Sequence, residues 1–243
     1  MIDVTITGSG RWKYLKRTIE SFTQNVSCSE RFRFLVTDDA GYHCESNGTR
    51  KAIVDSGVFD AWHFTKRQDY SECIAWLYAN LKSEFFFHLQ DDWEFLKPVN
   101  LDPLIALMRH HRSINHIKFN KRKTRATLKP EAWNHLGKLP KRNTVIDGIP
   151  LVAYPYWAMH PSLNRTSFVH RFKVPRSGQK EYDRAFKPSR WERYWLQTLF
   201  VGVDRKNPKD SCRKVGTYIY GKIGSPPYIL HIGEDRALNR RTR

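Results

Sequence analysis

The 243-residue sequence predicts an α/β fold whose sheet is doubly wound and mostly parallel, with helices on both faces. Three observations support this prediction. In the first hundred residues, short strand-like runs alternate with segments of helical apolar spacing, an order typical of parallel sheets. Polar or acidic residues follow three of the predicted strands, and ligands of such sheets bind at the carboxyl ends of strands. A hydrophobic content of 40% is enough to bury one substantial core.

The N-terminal elements follow from local periodicity and from chain breaks. Residues 2–7 alternate and are β-branched, which predicts a strand that ends at Gly8-Ser9-Gly10. Residues 14–23 then have helical spacing through Leu15, Ile19 and Phe22. Further strands are predicted at 32–37, 61–64 and 85–90, and further helices at 52–59 and 71–81.

The pattern is weaker after residue 98. A helix is predicted at 101–111 and a strand at 115–120, followed by a basic, irregular insertion at 121–150. Residues 154–171 are again apolar in part, 190–200 resemble a Trp-rich helix, and the chain ends in an apolar run at 228–233 and a basic terminus at 236–243. We expect one compact unit rather than separate domains.

Composition excludes several classes of protein. The 8 Trp, 11 Tyr and 14 Phe residues argue against disorder, and no apolar run is long enough to cross a bilayer. The N-terminus lacks the pattern of a signal peptide, so we expect a cytoplasmic protein, in the host cytoplasm if the source is viral. Cys28, Cys44, Cys73 and Cys212 have no C-x-x-C spacing, so we expect free thiols and no zinc site made from them.

The charge of the chain is strongly positive and unevenly distributed. There are 42 Lys and Arg residues against 24 acids, a formal net charge of +18. Between Pro103 and Ile146 there are eleven Lys or Arg and one acid, Glu131. Such a concentration indicates a polyanionic partner, namely nucleic acid, an anionic membrane surface or a phosphorylated substrate. A solubilising surface is the alternative.

The strongest chemical signal is Gln90-Asp91-Asp92 at the end of the predicted strand 85–90. Ionised carboxylates beside apolar residues are costly unless they are paired or bind a cation. A divalent ion held by one or two carboxylates and a substrate diphosphate meets this requirement. Alternatively, Asp91 or Asp92 caps the N-terminus of a helix, where Asp is a preferred residue.

With these residues the sequence resembles the GT-A glycosyltransferases, in particular the family-2-like group of nucleotide-diphospho-sugar transferases. In that family a strand ends in a D-x-D-like motif whose last acid binds the metal. The resemblance implies that Asp92 is a ligand of Mn²⁺ or Mg²⁺ and that Asp91 lies near the ribose or the sugar. Gln90 departs from the usual acid and is given no metal role.

Further matches to the family lie in the first hundred residues. The opening strand and helix resemble those of the family, which implies that Thr7 and Arg11 line the nucleotide pocket. Val36 to Ala40 resembles the strand whose Asp pair, here Asp38 and Asp39, contacts uracil, and Asp39 is the better candidate by position. A carboxylate can accept a hydrogen bond from the imide N–H of the base, although an Asx-turn that closes the strand is the alternative.

Other matches are scattered along the chain. Arg67 and Gln68 precede the next helix, where the family contacts nucleotide or phosphate. The segment from Tyr156 to Leu163 resembles the acceptor-side segment of the family. His231 resembles the late His that completes the metal shell, and imidazole suits manganese. A structural role beside its apolar neighbours is the alternative for His231.

The catalytic base is expected shortly after that acceptor-side segment. An inverting enzyme needs a carboxylate to deprotonate the acceptor hydroxyl. Glu181 is the preferred candidate and Asp183 the second, whereas a solvated helix start would also explain both acids. Residues 1–100 are thus predicted to form the nucleotide-sugar half. Residues 101–243 are predicted to form the smaller acceptor-side half, with the basic insertion at about 118–150 and a C-terminal segment that completes the metal site.

The predicted function is metal-dependent transfer of a hexose or pentose from a nucleotide-sugar, UDP-sugar being preferred, to a hydroxyl acceptor. The charge favours DNA as the acceptor, through a hydroxylated base in a viral genome, with phosphate contacts and an extruded base stacked on an aromatic such as Trp157. A lipid-linked or polysaccharide acceptor is one alternative. A non-catalytic nucleic-acid-binding protein with a GT-A-like fold is another, and nucleotidyl transfer is disfavoured because Gly8-Ser9-Gly10-Arg11 only faintly resembles a phosphate loop.

Overall fold

The computed structural model describes residues 1–39, 46–66, 69–122, 143–153, 160–170 and 216–233. Within these ranges there are five helices: α1 (Trp12–Asn25), α2 (Ser46–Asp55), α3 (Tyr70–Ala79), α4 (Asp102–His110) and α5 (Thr166–Val169). The strands of the first half are β1 (Ile2–Gly8), β2 (Val26–Ser27), β3 (Phe32–Asp38), β4 (Ala61–Phe64), β5 (Phe85–Gln90), β6 (Trp93–Phe95) and β7 (Val99–Asn100). Those of the second half are β8 (His116–Phe119), β9 (Lys121–Arg122), β10 (Asn143–Ile146), β11 (Ile149–Ala153), β12 (Ser162–Arg165), β13 (Thr217–Tyr220) and β14 (Ile229–His231).

A nine-stranded sheet in the order β10-β11-β13-β8-β12-β5-β1-β3-β4 organises the described residues. The strands β5, β1, β3 and β4 are parallel, as the alternating strands and helices of the first half predict. Antiparallel β12 joins them to β8 and its parallel partner β13, and the β10–β11 hairpin forms the far edge. The two halves of the chain therefore share one sheet. The smaller sheets are β6-β14-β9 and β2-β7.

The hydrophobic core lies on both faces of this sheet, because successive residues of the central strands point to opposite sides. Phe85, Phe87 and Leu89 of β5 pack on the face that α1 and α4 cover, whereas Phe86 packs with α3 and α5 on the other face. The prediction of a doubly wound α/β fold with helices on both faces is confirmed. No helix within the described ranges has the length and apolar character needed to span a bilayer.

Two local predictions are wrong. The helix expected at 52–59 is α2, which begins at Ser46 and ends at Asp55, shortly before Gly57 takes a φ of +63°. The insertion expected to be irregular over 121–150 contains the hairpin β10–β11 at its end. Asp147 and Gly148 form its turn with φ values of +48° and +77°, as a two-residue turn in a twisted hairpin requires. Residues 123–142 and the helix expected at 190–200 lie outside the described ranges.

His88 in the middle of β5 makes the stability of the fold sensitive to acid. Its side chain is buried beside Thr5, whose hydroxyl lies 3.0 Å from Nδ1, and within the described ranges Nε2 is buried without a hydrogen-bond partner. An imidazolium needs acceptors for two N–H groups, and one of them is missing here. Burial accordingly lowers the pKa of His88 to about 3.

We expect His88 to lower the free energy of unfolding as the pH falls below about 6.5. In the unfolded chain the imidazole gains a proton near that pH, whereas the folded protein keeps it neutral down to about pH 3. The unfolded state therefore binds more protons in this window, and the loss between pH 7 and pH 5 is roughly 2 kcal/mol. Urea unfolding of the parent and of His88→Gln at both pH values measures it. An equal loss of unfolding free energy in the two proteins would show that His88 does not cause it.

Candidate active site

The carboxyl ends of four parallel strands meet at one edge of the large sheet. The backbone N–H of Asp91 donates to the carbonyl oxygen of Thr7 at 3.0 Å, and that of Asp39 donates to the carbonyl of Gly8 at 3.2 Å. Thr65, which follows β4, donates in turn to the carbonyl of Asp38 at 3.1 Å. The structure thus brings Thr7, Asp38, Asp39, Asp91 and Asp92 to the same edge.

The carboxylate of Asp91 is held entirely by the loop between β1 and α1. Oδ2 accepts hydrogen bonds from the backbone N–H of Ser9 and from Nε of Arg11, both at 3.1 Å, and Oδ1 accepts from Nη2 of Arg11. The side chain is buried, and burial raises the pKa of this carboxyl, against the opposing charge of Arg11. Both oxygens of Asp91 are therefore bound to protein donors.

Asp92 differs from its neighbour because it faces the C-terminal segment. Its Oδ2 accepts from Nη2 of Arg11 at 2.8 Å and lies 3.2 Å from Nε2 of His231. Burial pushes the pKa of Asp92 upward, but the hydrogen bond with His231 and the charge of Arg11 outweigh burial and hold the pKa well below its usual range. Asp92 is thus ionised at neutral pH, and Oδ1 has no hydrogen-bond donor among the described residues.

Arg11 connects the two acids. Its guanidinium is buried and contacts both carboxylates, and these charges hold its pKa above the ordinary value despite the opposing effect of burial. The resemblance implied a place for Arg11 in the nucleotide pocket. In the structure its guanidinium is paired with the two acids. Two carboxylates face one guanidinium, so this cluster carries one uncompensated negative charge when His231 is neutral.

The segment that begins with β14 packs tightly over Asp92. The backbone N–H of Ile232 donates to the carbonyl of Asp92 at 2.9 Å, and β14 pairs with β6, which directly follows the acids. A Cβ at Gly233 would lie only 2.8 Å from Cβ of Asp92 and 2.9 Å from Nη1 of Arg11, so only glycine fits at this close approach. Because of this contact, the C-terminal segment covers one side of the acidic cluster.

Trp93, directly after the two acids, packs against two histidine rings. The ring of Trp93 lies 4.9 Å from that of His231 and 5.5 Å from that of His160, centroid to centroid. His160 belongs to the segment that the sequence assigned to the acceptor side. Trp93 therefore packs against two rings of the second half of the chain, and one of them, His231, also contacts Asp92.

Asp38 and Asp39, the predicted base-binding pair, have different surroundings. Oδ2 of Asp38 accepts from the backbone N–H of Gly10 at 2.7 Å, and Oδ1 lies 3.6 Å from Nε of Arg50. Asp38 therefore supports the β1–α1 loop. Asp39 is the next residue along the edge and is buried.

Arg50 is a residue of this edge that sequence reasoning missed. From α2 it donates to the carbonyl oxygens of Thr65 at 2.6 Å and of Asp38 at 3.5 Å, and it thereby ties the ends of β3 and β4 together. Nothing local marks Arg50, since the chain contains many Arg residues and the bounds of its helix were wrongly predicted. Trp93 was also missed, although its position directly after Asp92 was visible.

Four predicted site residues cannot be placed. Arg67, Gln68, Glu181 and Asp183 lie outside the described residues, as does Trp157. Their roles remain predictions.

The residues at the end of β5 suit a divalent cation. Asp92 supplies an ionised carboxylate whose Oδ1 lacks a donor in the described part of the chain. His231 supplies an imidazole whose Nε2 lies 3.2 Å from the other oxygen, Oδ2. Carboxylate and imidazole together are ligands that Mn²⁺ accepts. A cation would also neutralise the remaining negative charge of the cluster.

Known proteins with the same fold transfer sugars. No family model and no curated protein matches the sequence. Among solved structures, residues 1–349 of S. aureus TarS match with a TM-score of 0.52 at 11% identity, over 98% of this chain and 63% of that one. A mannosyltransferase from Pyrobaculum calidifontis in complex with GDP-Man and Mn²⁺ matches with a TM-score of 0.52 at 12% identity, over 99% of this chain and 60% of that one.

A third match is GalNAc-T7 with UDP, GalNAc and Mn²⁺, with a TM-score of 0.51 at 11% identity, over 95% of this chain and 44% of that one. The chain thus spans less than two thirds of the length of each of these three proteins. At such identities the likeness establishes the fold. The resemblance inferred from the sequence is confirmed at that level: the chain has the GT-A fold of nucleotide-sugar glycosyltransferases.

Proposed function

We propose that the protein is a metal-dependent glycosyltransferase that uses a nucleotide-sugar donor, with UDP-sugar preferred. The observation that carries this proposal is the cluster of Asp91, Asp92 and His231 at the strand edge that also holds Thr7 and Asp39. TarS has been solved in complex with UDP-GlcNAc and GalNAc-T7 with UDP and Mn²⁺, so proteins of this fold accept such donors.

The donor lies across the ends of the parallel strands in this proposal. Asp39 accepts a hydrogen bond from the imide of the base, and Thr7 lies between the base and the acids. Asp92 and His231 would hold the cation, which as a Lewis acid would stabilise the negative charge of the diphosphate leaving group. Arg11 keeps Asp92 ionised and correctly oriented, and Asp91 secures Arg11 and the β1–α1 loop.

The acceptor is activated by a carboxylate of the second half. We assign this role to Glu181, with Asp183 as the second candidate, on the resemblance to the GT-A family. The carboxylate takes the proton of the acceptor hydroxyl while the hydroxyl oxygen attacks the anomeric carbon. Trp93, the residue after Asp92, packs against His160 of the acceptor-side segment.

A panel of nucleotide-sugars, each with and without Mn²⁺, tests the donor assignment. Isothermal titration measures binding, and release of free nucleotide measures donor turnover. We expect UDP-sugars to bind at least tenfold more tightly with Mn²⁺ than with EDTA. Equal binding under the two conditions, or no donor turnover with any member of the panel, would contradict the proposal. The latter result together with tight DNA binding would favour a non-catalytic nucleic-acid-binding protein.

For the acceptor we propose a polyanion, and specifically a hydroxylated base in DNA. The support is the net charge of +18 and the concentration of basic residues between Pro103 and Ile146. Neutralisation of phosphates by Lys and Arg releases counterions, so the affinity for DNA falls steeply as salt increases. A polysaccharide or a lipid-linked acceptor at an anionic surface would draw on the same charge.

Competition separates these acceptors. Duplex DNA that contains hydroxymethylated bases, vesicles with anionic lipid and a neutral polysaccharide are each added to the donor-turnover assay at several salt concentrations. A DNA acceptor predicts sugar transfer to the modified duplex and none to the unmodified one. Absence of DNA binding at about 0.15 M salt would exclude the DNA acceptor, and stimulation by vesicles alone would favour the lipid-linked one.

A further inference from the structure

A second group of metal-ligating side chains lies where the turn of the β10–β11 hairpin meets the C-terminal end of α4. Nδ1 of His110 and Nε2 of His111 each lie 2.9 Å from the same atom, Oδ2 of Asp147. The three candidate ligand atoms lie within 4.8 Å of one another. This group shares no residue with the cluster around Asp92.

Regular structure sets the backbone positions of all three residues. His110 is the last residue of α4 and His111 is its C-cap. Asp147 occupies the hairpin turn, and Ile146 and Ile149 on either side of the turn pack against the core. The two imidazole rings lie 4.6 Å apart, centroid to centroid. The group therefore joins two elements whose own positions are set by the core.

We propose that His110, His111 and Asp147 bind a zinc-class transition-metal ion. Two imidazoles and one carboxylate, with water in the fourth position, form a common ligand set for Zn²⁺. The exposed fractions of 74% for His110 and 43% for Asp147 leave room for that water and for entry of the ion from solvent. Mg²⁺ and Ca²⁺ prefer oxygen ligands, so this group discriminates against them.

The distances require little rearrangement. Ligand atoms bound at about 2.0–2.2 Å to one tetrahedral ion lie roughly 3.4 Å apart. The two N···O distances of 2.9 Å are slightly shorter, so an outward shift of two partly exposed rings opens the position between them. The bound ion would link α4 to the β10–β11 hairpin at the end of the basic insertion. The site thus differs in ligands and in role from the one proposed at Asp92.

Titration of Zn²⁺ into the EDTA-treated full-length protein tests the proposal. The Asp92→Asn background removes the proposed donor-site metal, so a failure of the glycosyltransferase proposal leaves this test unaffected. We expect Asp147→Asn to weaken Zn²⁺ binding about 100-fold, because it removes the charged ligand and keeps a residue that tolerates the positive φ of the turn. His111→Ala is expected to have the same effect.

The matched control is His63→Gln. His63 is likewise bonded to a carboxylate, Nε2 to Oε1 of Glu72 at 2.9 Å, but it belongs to no metal-ligating group of three within the described residues. This variant is expected to bind Zn²⁺ as its parent does. Thermal unfolding gives a second measurement, in which a 100-fold excess of Zn²⁺ over Kd raises Tm by roughly 5–10 °C in the parent and not in Asp147→Asn.

Three outcomes would overturn the proposal. The first is that the parent does not bind Zn²⁺. The second is that Asp147→Asn or His111→Ala binds Zn²⁺ as tightly as the parent. The third is that His63→Gln loses as much Zn²⁺ affinity as these two variants. In each case the three side chains form only a hydrogen-bonded contact between helix and hairpin. Circular dichroism shows whether each variant is folded. If His111→Ala does not fold, the Zn²⁺ affinity of Asp147→Asn alone tests the proposal.

Discussion

Replacement of Asp92 by Asn is expected to reduce metal-dependent turnover of a UDP-sugar by about 1,000-fold, because the ion contributes several kcal/mol to stabilisation of the transition state. The amide has the size of the carboxylate, and its oxygen can still accept the hydrogen bond from Arg11. It cannot supply the negative charge that a cation requires. Steady-state rates at increasing Mn²⁺ concentration measure both the loss of turnover and the weaker metal dependence.

Glu94→Gln is the matched control for this substitution. Glu94 lies two residues further along, on β6, and its carboxylate binds Arg17 at 2.8 Å on the surface of α1. Loss of the Glu94 carboxylate should leave turnover within about a factor of two, since this partly exposed ion pair contributes little to stability. Asp92→Asn with the turnover of the parent would remove the basis of the proposed function. Equal losses in both variants would indicate a general effect of the β6 region instead.

The sequence predicted the first half of the fold well because its signals are local. The strands β1, β3, β4 and β5 are short runs rich in β-branched or aromatic residues, and parallel strands place their carboxyl ends at one edge. The convergence of Thr7, Asp39 and Asp91 could therefore be inferred without knowledge of any tertiary contact. The hairpin β10–β11 also had a local signal, the Asp147-Gly148 turn, which the high charge of the surrounding segment obscured.

The sequence could not predict which partners hold the acids. Arg11 and Asp91 are 80 positions apart, and His231 and Asp92 are 139 apart, so no periodicity connects them. Many Arg residues were available in so basic a chain. Only the packed structure shows that Arg11 bridges both acids, and that Asp91 is bound by protein donors whereas Asp92 has a free oxygen among the described contacts. The difference between two adjacent Asp residues is thus a tertiary property.

Replacement of Arg11 by Leu is expected to lower the free energy of unfolding by about 3–5 kcal/mol, the largest stability effect we predict. The change leaves two buried carboxylates without their cation, and burial of an uncompensated charge is costly. Urea unfolding at pH 7.5 measures the loss. Arg17→Leu is the control, because its partly exposed pair with Glu94 contributes at most about 1 kcal/mol.

The pH dependence of the Arg11→Leu variant shows whether the buried charge causes the loss. Burial already raises the pKa of Asp91 in the presence of Arg11, and without the guanidinium the folded protein takes up this proton more readily. The folded variant then binds a proton that the unfolded chain, with an ordinary Asp, does not hold above about pH 4. Its stability relative to the parent should therefore rise as the pH falls from 7.5 to 5.5.

A second substitution separates charge from packing. In Arg11→Leu/Asp91→Leu the guanidinium and one of its two carboxylate partners are both removed. Part of the lost stability should return, because replacement of both partners of a buried pair is often nearly neutral, whereas Asp92 still lacks Arg11. A double variant that is less stable than Arg11→Leu would show that the residues act through packing. A single variant no less stable than Arg17→Leu would show that Arg11 does not hold the acids together. If both expectations are met, Arg11 is the residue that allows two carboxylates to remain ionised at the end of a buried strand, and only then can Asp92 present a charge to a cation.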